Sequence, residues 1–422
     1  MIASRRALAA YGALRMPLAF LELPLFVLLP NLYGGTYGMS LAVVGALLFG
    51  VRLLDALADP WIGSTIDRHR RRFGPRRWIA AGLPFLCAGF AAMLLPPVEG
   101  AALAFWLAVT SMITYLAYSS VSIAYQAWGA EIGGTPAERA RVTATRETFG
   151  LVGVLGASAL LTPDQAPMLS VIFTIVAIVC ALAMRAAPAP LTGAATDDAG
   201  KSGWRETIGR PACRWLLAAF VTNGIATAIP ATLVLFFVRD VLASDDRTAT
   251  LFLVSYFLAG ALGMPLWVAA ARRIGLRNAW LLGMSCSVLA FLGALGLGAG
   301  DTAGFLAVCL LTGLALGSDL AMPAALLATV ISQAGHSGSR EGRYFGAWNL
   351  ATKLSLAAAA GLALPLLELL GYSPGSKDRT FELTLVYAAL PCALKIVAGI
   401  LLALAPLPDT TNRPLALEGT DR

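Results

Sequence analysis

Long apolar runs alternate with short polar connectors along the whole chain. About 20 apolar residues are enough for a helix to cross a bilayer, and on this measure the pattern predicts twelve transmembrane helices. The predicted helices are 8–33, 40–66, 78–98, 101–126, 146–161, 167–186, 212–238, 248–271, 279–298, 302–332, 343–370 and 381–406. Positive charges precede the first run as in a signal peptide, but the run is long enough to span, so we expect it to remain as the first helix.

The longest polar connector, 187–211, separates six of these runs from the other six. Its Ala, Pro, Gly and Asp residues are typical of a linker. A weak internal repeat supports the division, since residues 59–78 and 264–280 each carry a proline, then an arginine, a glycine and a tryptophan. Two six-helix halves related in this way are the architecture of the major facilitator superfamily. We predict an N-terminal half over 1–186 that carries a cation site, a cytoplasmic linker over 187–211 and a C-terminal half over 212–422.

The composition agrees with a membrane protein. Hydrophobic residues make up 58% of the 422 residues, charged residues only 13%, and the mean hydropathy is +0.74, far from the composition of a soluble domain. The sequence has no Ser/His/Asp order, phosphate-binding glycine loop or HExxH motif, and its six cysteines are scattered singly. We therefore expect an all-α polytopic membrane protein with no enzymatic activity, no metal site and no disulfide framework.

The net charge of +7 could indicate a nucleic-acid surface, but the basic residues sit in short connectors between apolar runs. Most of the 31 Lys and Arg residues fall on the side that holds both termini. By the positive-inside rule this side faces the cytoplasm of a bacterial-type inner membrane. We expect no nucleic-acid partner, and we expect the chain to act as a monomer on a small-molecule substrate within the lipid bilayer.

Two carboxylates stand out within the second predicted helix. Asp55 and Asp59 are four residues apart and share one helix face, with Arg52 a turn earlier. An ionisable side chain in hydrocarbon costs roughly 2.5–3.5 kcal/mol, so these groups are expected to face a cavity or the protein interior. Two acids that share a site suit a proton or a monovalent cation. The alternative is structural, with Arg52 and Asp55 as an ion pair and Asp59 as an anchor for the basic connector.

The exit of the same helix carries Gly63, Asp67 and Arg68, followed by the basic connector 68–77. These residues are expected to lock helices together by charge in a way that opens and closes during a transport cycle, and to set the topology. Substrate contact is the less favoured interpretation.

Further polar residues lie inside predicted helices. Lys353 lies about ten residues into the eleventh helix, too deep to reach the surface easily, and could approach the acidic pair across a cavity. Glu22 and Asp319 are buried acids that could touch substrate or a proton path. Lys395 is expected to snorkel or to form a local pair, and Arg15 to reach the membrane interface. The two histidines, His69 and His336, are expected to be solvated in basic loops.

Aromatic and polar residues near the end of the fourth helix suggest substrate contacts. Tyr125 and Trp128 close this helix, and Arg146 opens the fifth. A tryptophan can stack on the apolar face of a sugar, and an arginine can pair with hydroxyls or anions. A tryptophan at a helix end is also often an interfacial belt residue. Asn349, one turn before Lys353, is a further candidate substrate ligand.

The second-helix segment resembles a known family of transporters. Its order of residues is Arg52-Leu-Leu-Asp55-Ala-Leu-Ala-Asp59-Pro60, then Gly63, Asp67-Arg68 and Arg72-Phe-Gly-Pro-Arg-Arg-Trp78. Together with Tyr11-Gly12, Trp128, Glu138-Arg139, Arg146, Gly342-Arg-Tyr-Phe-Gly and Lys353, it is similar to the glycoside-pentoside-hexuronide:cation symporters of the melibiose permease type. The resemblance runs through nearly the whole chain.

The resemblance implies cation-coupled import by alternating access. It implies that Asp55 and Asp59 match the cation-binding acids of the family, that Trp128 and Arg146 match its sugar-contacting residues, and that Lys353 matches its coupling lysine.

The sequence also departs from the family pattern. Ala19 and Ala124 stand where the melibiose-type proteins have sugar-binding acids, with Glu22 one turn from the former. Ala58 and Val121 stand where the family's sodium site has Asn and Thr, and Ser120 and Ser122 flank the latter. A galactoside is therefore not implied, and the loss of two neutral oxygens favours H⁺ over Na⁺ as the coupling ion.

We therefore expect a secondary active transporter that couples a small organic solute, sugar-like or glycoside-like, to H⁺ or Na⁺ and needs no other cofactor. Arg52 and Lys353 are assigned to coupling, and Glu22, Tyr125, Trp128, Arg146 and Asn349 to substrate. Two rivals remain: an exporter or lipid-type transporter of the same fold, and a non-transporting membrane receptor or assembly factor.

Overall fold

The computed structural model describes residues 4–158, 163–189, 204–372 and 379–407. Within these ranges the chain folds into α-helices joined by short turns, and no strand is present. The helices are α1 (Arg5–Gly12), α2 (Arg15–Asn31), α3 (Leu41–Leu94), α4 (Ala101–Ile132), α5 (Pro136–Ser158), α6 (Ala166–Ala183), α7 (Trp204–Ile208), α8 (Pro211–Phe236), α9 (Asp246–Leu292), α10 (Thr302–Gln333), α11 (Glu341–Leu369), α12 (Thr380–Thr384) and α13 (Leu390–Leu404). The all-helical prediction is confirmed.

Two of these helices contain two legs each. Gly74 in α3 has φ 57° and Gly275 in α9 has φ 81°, a left-handed conformation that glycine adopts without steric cost. The helix continues on both sides of each glycine. The connector predicted over 68–77 is therefore mostly helical, because one residue suffices to turn the chain, and the basic stretch 272–277 is likewise helical on both sides of Gly275.

The described helices follow the twelve predicted segments once α3 and α9 are divided at these glycines, except that α5 begins at Pro136 rather than near 146 and so places Arg146 inside the helix. Eight of them are long and apolar enough to cross a membrane by length and composition, with both legs of α9 counted as one. The others differ in length or charge: α2 has 17 residues, and the first leg of α3 and helix α5 are rich in charged residues.

The connector between the predicted halves is only partly described. Its residues 190–203 lie outside the described residues, and Trp204–Ile208 forms the short helix α7. The division into 1–186, 187–211 and 212–422 stays a prediction.

Helices of the two predicted halves approach each other closely at the end that carries 68–77 and 272–277, here called the basic end. Gly63 of α3 packs against the Gly342 backbone of α11, so that a Cβ at either glycine would overlap the other helix. Nearer the N-terminal end of α3, a Cβ on Gly45 or Gly50 would meet no atom within 4 Å. The helices therefore close tightly at the basic end.

Apolar side chains fill the bundle in two clusters. The larger includes buried residues of α2 through α6 and reaches α9, α10 and α11. The smaller lies in the C-terminal helices, where Phe237 stacks on Tyr387 with 4.2 Å between ring centroids. Charged side chains that lie among these helices must find partners there, and their partners define the candidate site.

Candidate functional site

The two acids of α3 meet the lysine of α11. Asp55 Oδ2 lies 2.6 Å and Asp59 Oδ2 lies 2.7 Å from Lys353 Nζ. The four-residue spacing places both carboxylates on the face of α3 that packs against α11. Asp55 is 2% exposed and Asp59 is fully buried, whereas 24% of the Lys353 side chain is exposed. The predicted approach of Lys353 to the acidic pair is confirmed, and its coupling role stays a prediction.

The two carboxylates differ in how completely they are hydrogen-bonded. Lys353 Nζ donates to Asp55 Oδ2 at 2.6 Å, and the Ser119 hydroxyl donates to Asp55 Oδ1 at 2.6 Å. Asp59 Oδ2 has the Lys353 ammonium beside it at 2.7 Å, and Asp59 Oδ1 has no hydrogen-bond partner among the described residues. A buried carboxylate in this state is costly when ionised unless a proton or a cation compensates it. Asp59 is therefore the member of the pair best suited to exchange an ion.

Ser119 contacts the acidic pair, although the sequence did not indicate it. The sequence pointed to its neighbours, but Ser120 Oγ accepts from Trp78 Nε1 at 2.7 Å and Ser122 Oγ accepts from Gln126 Nε2 at 3.0 Å. Three of four consecutive residues of α4 are serines. The sequence therefore indicated a polar turn of the helix, but it did not show which serine faces Asp55.

Arg52 is directed toward α4. Its Nε donates to the Tyr115 hydroxyl at 2.9 Å, and its guanidinium carbon lies 5.6 Å from the centroid of that ring. The cation–π contact and the hydrogen bond together orient Arg52 beside the acidic pair. Its coupling role stays a prediction.

Glu22 presents a partly exposed carboxylate. Its Oε1 accepts from the Tyr118 hydroxyl at 2.5 Å and from Arg15 Nη1 at 2.7 Å, and 37% of the Glu22 side chain is exposed. Arg15 also lies 3.4 Å from Glu147 Oε2. The expectation that Arg15 reaches the membrane interface is wrong, because two carboxylates hold it inside the bundle.

Tyr125 and Trp128 are fully enclosed. The Tyr125 hydroxyl donates to the Tyr11 carbonyl at 2.8 Å, and Trp128 packs edge-on against the Tyr11 ring at 5.2 Å. The Arg76 guanidinium carbon lies 5.2 Å from the Trp128 ring centroid on another side. Because Trp128 has no exposed surface, the interfacial-belt interpretation is wrong. Substrate contact stays a prediction and requires a conformation that uncovers these rings.

Arg146 and Asn349 also have partners inside the protein. Arg146 Nε donates to Glu147 Oε1 at 2.7 Å. Asn349 Oδ1 accepts from Gln126 Nε2 at 3.0 Å, which joins α11 to α4. The structure thus separates the predicted substrate residues into an enclosed set, with Arg146, and a partly accessible set, with Glu22 and Asn349.

The basic end is closed by a carboxylate on a helix N-terminus. Asp67 accepts from the backbone N–H of Gly342 at 2.7 Å and of Arg343 at 2.9 Å, in the first turn of α11. This is a favourable position for an anion. Asp67 lies outside the predicted spans, and burial, reinforced by the nearby Glu341 carboxylate, raises its pKa to about 8 against these two donors.

A second ionic contact lies beside Asp67. Arg70 pairs with Glu131 of α4 and lies 3.2 Å from Glu341 Oε2 of α11. The predicted charge contacts between helices are therefore present, with Arg70 as their cation. Arg68 is exposed and makes no hydrogen bond or ion pair with any described residue. The gating roles of Gly63, Asp67 and Arg68 stay predictions.

Similarity to known proteins identifies the family of this chain. The sequence pattern of the MFS/sugar transport protein family matches residues 10–409. The chain belongs to this family. It is a multi-pass membrane transporter and not an enzyme, as predicted.

Three relatives of this transporter carry transport names. The isoprimeverose transporter of Lactiplantibacillus pentosus is 26% identical over 293 residues, which cover 64% of this chain and 59% of that protein. The inner membrane symporter YicJ of Escherichia coli (strain K12) is 30% identical over 133 residues, 31% of this chain and 29% of that protein. The glucuronide carrier protein homolog of the same strain is 24% identical over 443 residues, 96% of this chain and 92% of that protein. The first two matches span less than two thirds of those relatives.

Solved structures share the fold of the transporter. A bacterial homologue of the iron transporter ferroportin in an outward-facing state has a TM-score of 0.71 at 16% identity, covering 94% of this chain and 98% of that chain. The major facilitator transporter FucP in the outward conformation has a TM-score of 0.69 at 14% identity, covering 95% and 99%. The major facilitator fold is thus confirmed.

The transporter holds a second buried acid–lysine pair among its C-terminal helices. Lys395 Nζ lies 2.6 Å from Asp319 Oδ2 and donates to Asn223 Oδ1 at 2.9 Å. Trp280 Nε1 donates to Asp319 Oδ1 at 2.9 Å. The local pair predicted as one alternative for Lys395 is confirmed, and both oxygens of Asp319 have a donor.

One histidine departs from its expected environment. His336 is 8% exposed, and its Nδ1 lies 2.9 Å from the Tyr344 hydroxyl. Burial and the nearby Arg340 lower the pKa of His336. The prediction that it is solvated is wrong, because the turn before α11 folds back onto that helix, whereas His69 is exposed as expected.

Proposed function

We propose that the chain is a proton-coupled symporter that imports a small, polar, glycoside-like solute across a bacterial inner membrane, with both termini in the cytoplasm. The single observation that carries the proposal is Asp59, which is fully buried, lies 2.7 Å from Lys353 Nζ and has no hydrogen-bond partner at Oδ1 among the described residues. The names of the relatives, which include a symporter and sugar-type carriers, support the class of cargo.

Lys353 supplies a mechanism for coupling in this proposal. Its ammonium group stands where a cation would neutralise Asp55 and Asp59, so the lysine and a coupling cation compete for the same oxygens. Binding of a proton to Asp59 removes one of the charges that hold Lys353. Because Lys353 belongs to α11 and the acids to α3, the ionisation state of the pair biases how these two helices pack.

The oxygen atoms around the acidic pair favour a proton over sodium as the coupling ion. Beside the two carboxylates, the described side chain that reaches the cluster with a neutral oxygen is Ser119, and its hydroxyl already donates to Asp55. Hard metal cations need several oxygen ligands, whereas a proton needs one acceptor. Asp59 offers such an acceptor.

The accessible polar residues favour a hydroxylated solute over a lipid. Glu22 is partly exposed, and Tyr118 and Asn349 are half-buried residues with polar side chains, so this set can offer acceptors and donors to sugar hydroxyls. Ala19 and Ala124, at the positions of the family's sugar acids, are 1% and 0% exposed. Because both alanines are buried, the absence of acids at these two positions does not make the accessible surface apolar.

Alternating access follows from the fold in this proposal. The tight packing at Gly63 and Gly342 closes the basic end, which we assign to the cytoplasm because most Lys and Arg residues lie there. The state described is then outward-facing, and import requires that this packing open. The transporter is proposed to work as a monomer.

Transport by purified protein tests the proposal. The protein is reconstituted into liposomes, and uptake of labelled glycosides is measured with an imposed proton gradient, an imposed sodium gradient or neither. We expect accumulation of at least one β- or α-glycoside driven by the proton gradient and little by sodium alone. Sodium-driven accumulation without a proton requirement would contradict the coupling ion. Absence of movement of any solute in either direction would favour the receptor or assembly role.

A further inference from the structure

A groove outside the acidic pair lies between α6 and the second leg of α3. It encloses about 630 Å³, within the ~300–1,000 Å³ of pockets that hold drug-sized molecules. Small and apolar side chains from both helices form its walls, including Ala80, Pro84, Ala177 and Leu182. Ile178 and Leu182, at 54% and 52% exposure, show that the groove opens toward the membrane rather than toward the central cavity.

The depth of the groove matches one leaflet of a bilayer. It runs from Arg77 to Cys87 along α3 and from Arg185, just past the end of α6, to Thr174 within α6. Ten residues of helix span about 15 Å, and half of the ~30 Å hydrocarbon core is also about 15 Å. Both arginines lie at the basic end, so the groove begins at the headgroup level and ends near the midplane.

The two arginines at the mouth of the groove have no counter-charge among the described residues. Arg77 and Arg185 are exposed, and neither makes a hydrogen bond or ion pair with any described residue. Arg76, beside them, donates to the Ala187 carbonyl and covers the Trp128 ring. Two unpaired guanidinium groups above a one-leaflet apolar groove match a molecule with an anionic head and a hydrocarbon tail.

We propose that this groove binds an anionic phospholipid of the leaflet at the basic end. The phosphate and the headgroup face Arg77 and Arg185, and one acyl chain lies between α3 and α6 along Ala80, Ala181 and Cys87. Arg76 lines the groove and also covers the Trp128 ring. In this proposal, only Arg76 separates the lipid from the enclosed group formed by Tyr11, Tyr125 and Trp128.

Photocrosslinking with purified full-length protein in detergent tests the site. The probes are phosphatidylglycerol and phosphatidylcholine with identical acyl chains, one chain carrying a diazirine near its middle, and labelled peptides are mapped by mass spectrometry. The variants are R77Q/R185Q, the matched control R272Q/R273Q, whose exposed arginines lie at the same end on α9, and A181W, which fills the groove.

We expect phosphatidylglycerol to label residues 77–87 and 174–185. Near an anionic surface each arginine is worth about fivefold in affinity, so R77Q/R185Q should weaken labelling by roughly 25-fold and the control by less than about twofold. A181W should reduce labelling by both lipids.

Three results would overturn the proposal. Labelling elsewhere in the chain would show that the groove is not the site. Equal loss in R77Q/R185Q and R272Q/R273Q would show attraction by overall charge alone. Competition by glycerol phosphate as strong as by the intact lipid would assign the arginines to a soluble anion.

Discussion

Two acid–lysine pairs are buried in this transporter, and they differ in what surrounds them. Asp319 and Lys395 lie within one predicted half, and each oxygen of Asp319 has a donor. Asp59 and Lys353 belong to helices of different predicted halves, and Asp59 Oδ1 has no hydrogen-bond partner among the described residues. Both carboxylate oxygens of Asp319 are hydrogen-bonded, so the first pair is complete. In the second pair, Asp59 still has an oxygen that can bind a proton or a cation.

This difference separates a structural pair from a working one. A buried charge pair is stable when hydrogen bonds satisfy its remaining atoms, and breaking it is costly. An acid that has to exchange an ion during a cycle cannot be fully satisfied in every state. Burial and charge alone therefore do not identify the coupling site, and the completeness of hydrogen bonding around each carboxylate does.

The largest effect on stability is expected at the complete pair. Lys395→Ala leaves Asp319 uncompensated and should cost about 3–5 kcal/mol of unfolding free energy. Lys353→Ala should cost less than half of that, because 24% of the Lys353 side chain is exposed and water can reach its place. Thermal and denaturant unfolding in detergent measure both. The double variant Asp319→Leu with Lys395→Met should recover most of the loss, and an equal cost for the two single variants would erase the distinction.

A smaller, local effect is expected where the two halves meet. Gly63→Ala should force α3 away from α11, because its Cβ would overlap the Gly342 carbonyl. The backbone N–H groups that donate to Asp67 should then exchange with deuterium at least tenfold faster, as should amides near Lys353. Exchange around Asp319 and Lys395 should not change. Gly50→Ala on the same helix is the matched control, since its Cβ would meet no atom within 4 Å. Unchanged exchange in Gly63→Ala would show that this packing does not hold the halves together.

The smallest effect is a pH dependence of closure at the basic end. The pKa of Asp67 is about 8 in this closed state, against an ordinary value of 3.8 when exposed. The closed state therefore holds the proton more tightly, so its stabilisation is complete below about pH 4 and is lost as pH rises toward 8. Single-molecule distances across the basic end should show a several-fold loss of the closed population between pH 6 and 8. Asp67→Asn should flatten this dependence, and a closed population that grows with pH would contradict it.

The sequence predicted the helical segments and the acidic pair for physical reasons. Apolar length and charged connectors follow from the bilayer, so twelve segments were visible without a structure. The four-residue spacing of Asp55 and Asp59 placed both on one face, and the depth of Lys353 required a buried partner.

Other features depended on three-dimensional packing. A single glycine at position 74 turns α3 where a polar stretch had suggested a loop. Ser119 rather than its neighbours faces Asp55, because the rotation of α4 about its axis decides which serine points inward. Trp128 and Arg15 lie inside the bundle rather than at the interface, since partners far apart in sequence hold them there.

The most direct test of Asp59 as the coupling acid compares Asp59→Asn with a double variant in the complete pair, Asp319→Asn with Lys395→Met, in proteoliposomes. Gradient-driven uptake and solute counterflow are measured at equal amounts of folded protein. We expect that Asp59→Asn loses gradient-driven uptake and keeps part of its counterflow, while the double variant keeps both within about twofold. Gradient-driven uptake that persists in Asp59→Asn would contradict the assignment of Asp59 as the coupling acid.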